Sequence, residues 1–426
     1  MNDTIFAVSS GRPPAAIAVL RVSGPAAFTA MHQLAGACVT PRRATLRTLH
    51  DAAGAPLDRA LVLAFPGPTT ATGEDLVEFH LHGGRAVVAA VEAALAALPA
   101  LRPAVAGEFT RRALENGRLD LAQAQGLADL LAAETEAERK SAFAAAEGEI
   151  SRAVSGWLTR ISQLSAQIEA SLDYSDEDDV ASSDLSHITS EIAHLASEIA
   201  SVLDRPTVER LREGVTVVLA GPPNAGKSSL FNALLARDAA IVTPQAGTTR
   251  DTLEAVVQRG GQAFVLIDTA GLRQHTDDAI ERIGIERADQ AIGRSDLVLW
   301  LGDPGEAPDA STLVHARADA PDRMPAPDGV LATAIDDPAS ITALWTHLQQ
   351  RAAEIMPAPS GALLHREQRE RVTRAHGSLT QATVETDLLL MAEQLRTARV
   401  DLASLLGVDA TEAMLDALFA RFCVGK

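Results

Sequence analysis

Apolar positions change their spacing along this chain, and the changes divide it. In residues 1–116, short apolar runs (AIAVLRV at 16–22, ALVLAF at 60–65 and DLVEFHLH at 75–82) read as strands. Gly54, Pro66-Gly67 and Gly83-Gly84 punctuate them as turns, and alanine-rich stretches such as 86–98 read as helices. That alternation predicts a compact α+β domain. From Leu119 to Leu172 there is no proline. Ile150, Val154, Trp157, Leu158, Ile161, Leu164, Ile168 and Leu172 recur at three- and four-residue steps, one face of a long helix. An acidic run at 173–179 interrupts it. A second helix carries Leu185, Ile188, Ile192, Leu195, Ile199 and Val202 and stops before Pro206. Residues 365–422 return to helical spacing through Leu388, Leu395, Leu402, Leu405, Leu415, Leu418 and Phe422.

Between these helical blocks the spacing is that of an α/β segment. VTVVLA (215–220) reads as a buried strand, followed by GPPNAGKSS and the helix SLFNALLA. TLEAVVQ (252–258) and AFVLID (263–268) read as strands joined at Arg259-Gly260-Gly261, a hairpin turn. A helix near 280–293, strands at 296–301 and 312–315, a helix at 340–353 and a proline-rich exit at 357–359 complete it. The pattern predicts one helical domain split by an insertion, with two separate helical domains as the alternative. The expected boundaries are 1–116, 117–213, 214–355 and 356–426.

Composition narrows the class. At 426 residues two or three domains are expected. Apolar residues at 47% and charged residues at 22% are those of packed cores, and 3% aromatics with abundant alanine favour close-packed helices. Cys38 and Cys423 are too few for a disulfide framework or a zinc cluster, which fits a reducing, cytoplasmic setting. The N-terminus has no basic stretch before an apolar core, and no apolar run reaches membrane-spanning length. A net charge of −19 argues against life by non-specific phosphate attraction, so nucleic acid must be met locally or with a partner. Lysine occurs only at 140, 227 and 426, which makes each one informative.

Gly221, Gly226, Lys227 and Ser228 fit G-x-x-x-x-G-K-S between a strand and a helix. Glycines let backbone N–H groups turn around a phosphate, and the helix presents its positive end. Lys227 supplies charge to the β- and γ-phosphates, and the Ser228 hydroxyl is a Mg²⁺ ligand. Asn224, Ala225 and Ser229 complete the loop. Asp268-Thr269-Ala270-Gly271 follows a strand, and Thr248 and Thr249 lie in a segment that could offer Thr249 to the metal. Together, in this order, these specify a switch-type GTPase. GTPases usually read guanine with N-K-x-D, but here the segment is Ala316-Arg317-Ala318-Asp319, and no asparagine occurs after Asn232. Asp319 can accept from the guanine edge, Arg317 can lay its stem beside the base, and Thr333-Ala334 can donate a backbone N–H to the carbonyl. GTP is expected over ATP, with weakened affinity or selectivity. The stretch DPGEAPDAS before the 312–315 strand does not read as a helix, so one helix of a Ras-like domain is expected to be missing.

The chain resembles the MnmE (TrmE) family of tRNA modification GTPases. The resemblance rests on LRVSGP (20–25), GEDLVEFHLHGG (73–84), GEFTRRALENGRLDLAQAQGLADL (107–130), GPPNAGKSSLFNALL, IVTPQAGTTRD, DTAGLR, ERIGIERA (281–288) and the terminal FCVGK. It spans essentially the whole chain in one order. It implies a multidomain α/β and α fold: an N-terminal α+β folate-binding and dimerising domain, a discontinuous helical domain and an inserted Ras-like P-loop G domain. It also implies a homodimer working with an FAD-carrying GidA (MnmG) partner. Together they would install an aminomethyl or carboxymethylaminomethyl group on C5 of the wobble uridine of certain tRNAs, the carbon coming from a tetrahydrofolate. Carried over by motif, folate contacts fall on Arg21, Glu78, Arg118 (where the family commonly has lysine) and Lys426, with Cys423 matching the terminal cysteine. K⁺ ligands fall on Asn224, Thr243, Gln245 and Thr248, and the attacking water is oriented by Glu281. Rival readings are an Era/EngA-like ribosome-assembly GTPase, a folate-binding scaffold with a decayed G domain, and a dynamin-like membrane GTPase. The last lacks a basic amphipathic or lipid-anchoring segment here.

Overall fold

The computed structural model describes residues 3–36, 39–173, 182–236, 253–269, 289–321, 323–356, 361–408 and 411–425. The chain forms two compact units. One holds residues 1–131, 145–195 and 374–426, the other 132–144 and 196–373.

The first unit is built on a sheet of order β3-β4-β5-β2-β1-β6. The strands are β1 (Thr4–Val8), β2 (Ile17–Ser23), β3 (Thr45–His50), β4 (Pro56–Phe65), β5 (Leu76–His82) and β6 (Leu101–Pro103). All pair antiparallel except β1 with β6. Two-residue alternation decides the faces. Ala18, Leu20 and Val22 of β2 and Val77, Phe79 and Leu81 of β5 turn into a core with helices Ala27–Ala35 and Arg85–Ala96. On β1 the opposite alternation, Ile5 and Ala7, packs on Ala104 and Phe109. The polar members Arg21 and Glu78 therefore fall on the second face.

The long helix read from Ile150 to Leu172 is present as Glu149–Asp173, and two shorter helices, Leu121–Ala132 and Glu136–Ala146, precede it in the proline-free stretch. The breaks have local causes. Thr135 accepts from the Glu138 N–H and donates to the Glu138 carboxylate, a helix-start device. Gly148 sits at φ +81°, where a side chain is disfavoured. In the first unit, Leu121, Ala124 and Ala128 pack on Leu418, Phe419 and Phe422 from the other end of the chain. Helix Glu149–Asp173 packs on Leu388–Ala403, and Ser182–Leu203 begins in the same unit.

The second unit contains a sheet of order β12-β11-β10-β7-β9-β8. Its strands are β7 (Val215–Ala220), β8 (Leu253–Arg259), β9 (Gln262–Asp268), β10 (Leu297–Trp300), β11 (Thr312–Ala316) and β12 (Leu331–Thr333). All pair parallel except β8, which forms a hairpin with β9 through Gly260 and Gly261, both at positive φ. Helices Lys227–Ala236 and Pro338–Ile355 cover one face with Leu230, Phe231, Leu234, Leu344, Trp345 and Leu348. The other face is thinner: Val218, Ala220 and Ile267 meet partly buried Val298 and Trp300 and the helical residues 289–294. Between β10 and β11 there is only the 3₁₀ turn Pro304–Glu306, as the sequence led one to expect. Among the described residues the β11–β12 connection carries no helix either. Pro321, Pro325 and Pro327 deny it the N–H donors a helix needs.

Candidate functional site

In a parallel sheet the carboxyl ends of the strands gather on one edge, where ligands bind. The loop leaving β7 there takes left-handed φ at Gly221 (+143°), Asn224 (+60°) and Gly226 (+96°). Its φ makes Gly221 the residue for this position, and a Cβ there would also stand a tight 3.2 Å from Leu301 backbone. The helix Lys227–Ala236 starts directly after, with Ser228 and Ser229 exposed on its first turn. Lys227 is buried, 4% exposed, and its Nζ donates to Gly221 O (2.9 Å) and Pro222 O (2.7 Å), lying over the loop. Asp268 ends β9 in register with Leu219 of β7 and is wholly buried. Thr269 Oγ1 donates to Leu219 O at 2.8 Å, tying the DTAG element to the strand that feeds the loop.

The base side lies at the ends of β11 and β12. A Cβ on Gly226 would be 3.6 Å from Arg317 Cγ and 3.7 Å from Ala316 Cβ. The stem of Arg317, a residue at φ +59°, therefore lies against the phosphate loop. Ala318 N–H donates to Thr333 O (3.0 Å), joining the two base-side loops, and Asp319 is exposed in the turn beyond. The Ala334 N–H donates to Ser340 Oγ at 3.0 Å. Thr243, Gln245, Thr248, Thr249, Ala270, Gly271 and Glu281 lie outside the described residues.

The first unit holds a cavity of about 230 Å³ between the second face of its sheet and the helices Glu108–Glu115 and Leu121–Ala132. Its walls are mainly apolar (Leu76, Phe109, Ala113, Leu127), with Arg21 and the 71–72 segment. Arg21 and Glu78 are direct cross-strand partners, and Arg21 Nε donates to Glu78 Oε1 at 2.8 Å. His80 Nε2 lies 3.1 Å from Glu78 Oε2. Burial pushes the Glu78 carboxyl up, but hydrogen bonds from Arg21 and His80 outweigh it and hold it below the usual glutamate range. Arg118 Nε donates to Thr70 O (3.1 Å), on the segment that leads into the cavity wall. Ser9 Oγ donates to Gly425 O at 2.7 Å, Val424 bridges to Ala106, and any side chain on Gly425 would strike Val8 O. The chain end is anchored up to the residue before Lys426, which itself lies outside the described residues. Cys423 is an exposed free thiol. Sequence reasoning missed Thr72 and the buried Arg112 behind it. The Glu108/Arg112 spacing of four on one helix was the available signal.

A glycine-turned loop with a buried lysine, at the carboxyl end of the central strand of a parallel sheet, defines a P-loop nucleotide-binding domain. The family described as "GTP-binding protein TrmE N-terminus" matches residues 4–118, and that described as "MnmE helical domain" matches residues 121–423. The tRNA modification GTPase MnmE of Erythrobacter litoralis is 52% identical over 424 residues, covering 100% of both chains. That of Rhizorhabdus wittichii is 54% identical over 428 residues, covering 100% of this chain and 97% of its own. Among solved structures, the G domain of the T. maritima FeoB iron transporter is 26% identical over 33% of this chain and 97% of that one, with a TM-score of 0.23. The chain belongs to the MnmE family of tRNA modification GTPases.

Proposed function

We propose that this chain is a potassium-activated GTP hydrolase that acts in the cytoplasm as a homodimer. It works with an FAD-carrying GidA/MnmG-type partner to build an aminomethyl or carboxymethylaminomethyl group on C5 of the wobble uridine of tRNA, taking carbon from a tetrahydrofolate. The observation that carries the hydrolase half is Lys227, buried over a loop of left-handed residues, with Asp268 ending the strand paired to the one that feeds the loop. A triphosphate entering there would take the Lys227 ammonium from the two loop carbonyls that now hold it. Ser228 and Asp268 are hard oxygen donors that suit Mg²⁺, and a bound Mg²⁺ would neutralise charge on the β- and γ-phosphates. Asn224 offers an exposed side-chain oxygen for K⁺ at the turn of the loop. Thr243, Gln245, Thr248, Thr249 and Glu281 are assigned their roles by family resemblance. The folate half is supported by the apolar cavity with Arg21–Glu78 at its edge: an aromatic ring suits the walls and its N–H groups suit a carboxylate. Arg118 and Lys426 would meet the acidic tail. No helix among the described residues is long and apolar enough to cross a membrane. GTP turnover in K⁺ against Na⁺ is the test. Equal rates in the two salts remove the potassium claim, and absent turnover in both removes the hydrolase.

Guanine reading is the altered part. Asp319 is the one carboxylate of the motif, Ala316 offers no amide, and the Ala334 N–H is engaged by Ser340. GTP is preferred over ATP by a reduced margin. Competition of ATP against a fluorescent GTP analogue measures it, and equal affinities would overturn the preference.

A further inference from the structure

Arg112 is the most buried cation among the described residues of its unit, 1% exposed, and nothing in the catalytic reading uses it. Its guanidinium donates to Asp3 O (3.0 Å), Asp3 Oδ1 (2.9 Å), both Glu74 oxygens (3.2 Å each) and Glu108 Oε1 (3.1 Å). Buried ion clusters often add no more stability than apolar packing would, and one attested use of them is to fix geometry. Here the geometry leads to the cavity. Ser23, fully buried at the end of β2, donates its hydroxyl to Glu74 Oε2 at 2.7 Å. Its oxygen also lies 2.7 Å from Thr72 Oγ1. A carboxylate held by an arginine has only acceptors, so the Ser23 proton goes to Glu74 and Thr72 must donate to Ser23. Thr72, 1% exposed, lines the cavity and has spent its only proton. Any further hydrogen bond at its hydroxyl can only be accepted.

We infer that Arg112, Glu74 and Ser23 are positioning residues for the cavity, a relay that fixes the 70–75 segment and sets Thr72 as a hydrogen-bond acceptor, so that the cavity selects ligands presenting an N–H or O–H there. This rests on the folate reading for the identity of the ligand, since reduced folates carry such N–H groups, but not for the relay itself.

The test uses the full chain and 5-formyltetrahydrofolate as probe, with affinity by calorimetry, melting temperature and GTP turnover measured together. Ser23→Ala and Thr72→Val each raise Kd about tenfold with GTP turnover unchanged, and Thr72→Ser keeps it within about twofold. Because the residues act in one chain, the double variant Ser23→Ala/Thr72→Val loses no more than either single one. Wild-type affinity in Ser23→Ala, or losses that multiply in the double variant, overturn the relay. If wild type ignores the folate while hydrolysing GTP, the folate reading falls and hydrogen exchange without ligand judges the relay alone. Amides 70–75 then exchange faster in Ser23→Ala and in Glu74→Gln, and unchanged exchange overturns it.

Discussion

The two candidate sites rest on opposite kinds of sheet. In the second unit parallel strands deliver their ends to one edge, and the site there is chiefly backbone: glycine φ angles, a helix start, strand-end registers. In the first unit an antiparallel sheet delivers side chains, and its site is made of pairs, Arg21 with Glu78 across strands and Arg112 with three carboxylates behind. A backbone site supplies positive potential to any triphosphate and discriminates little. A paired site discriminates through charge and donor placement, but losing one partner strands the other.

The sharpest break of this comparison is Lys227→Ala. The loop keeps its backbone, yet loses the ammonium proposed to meet the transferring phosphate. kcat for GTP is expected to fall about 10²–10³-fold, the range for one preorganised electrostatic contact. Rapid-quench turnover checks it. A loss under tenfold would mean the backbone alone carries the chemistry.

Next comes packing at the far end of β7 from the loop, where Phe264 pairs with Val215. Trp345, 1% exposed, meets Phe264 edge-on at 5.3 Å between centroids, with the Arg259 guanidinium 5.1 Å from its ring. Trp345→Ala is expected to cost about 3–5 kcal/mol. Denaturant unfolding followed by GTP-analogue binding would read it, and cavity-ligand binding at lower denaturant should survive.

In the first unit Arg21→Met leaves half-buried Glu78 with His80 as its remaining side-chain partner. Folate affinity is expected to fall about tenfold or more, as for a stranded buried charge. The pH dependence follows from sign. Glu78 in the folded protein lies below the usual range, so the fold binds fewer protons than the unfolded chain near that range. Its stabilisation is full above the unfolded value and is lost as pH falls from there through the lowered folded value. Melting temperature between pH 6 and 3 should therefore fall less steeply in Arg21→Met than in wild type.

The same contrast explains what was legible. G-x-x-x-x-G-K-S is a local backbone need and shows in local spacing, so the loop, β7, the hairpin and Asp268 could all be read. β3 (TLRTLH) alternates with polar residues and β6 is three residues long, so neither gave a run. Glu78 could be named by resemblance, but its partner is set by register between β2 and β5, which no local pattern holds. Arg111 and Arg112 are neighbours in sequence. Only the helix places Arg112 inward, while Arg111 meets Glu115, Glu412 and Asp416. The two missing helices differ likewise: one was visible in DPGEAPDAS, while the other needed Pro321, Pro325 and Pro327 weighed against the length of 317–330.

The smallest expected effect sharpens the contrast from within the backbone site. The Ala334 N–H is a donor that a guanine carbonyl could use, and Ser340 Oγ already accepts from it at 3.0 Å. The same hydroxyl lies 3.0 Å from Ala334 O and 2.8 Å from Asp337 O, closing the turn before helix Pro338–Ile355. Ser340→Ala removes the internal competitor and the turn closure together. GTP should then bind about two- to fivefold tighter, a fraction of a neutral hydrogen bond, while melting temperature falls by a few degrees. Opposite signs in the two readouts are the signature, because damage to the fold alone would weaken both. If GTP affinity falls with stability, the Ala334 N–H is not what the base uses, and guanine is read through Asp319 alone.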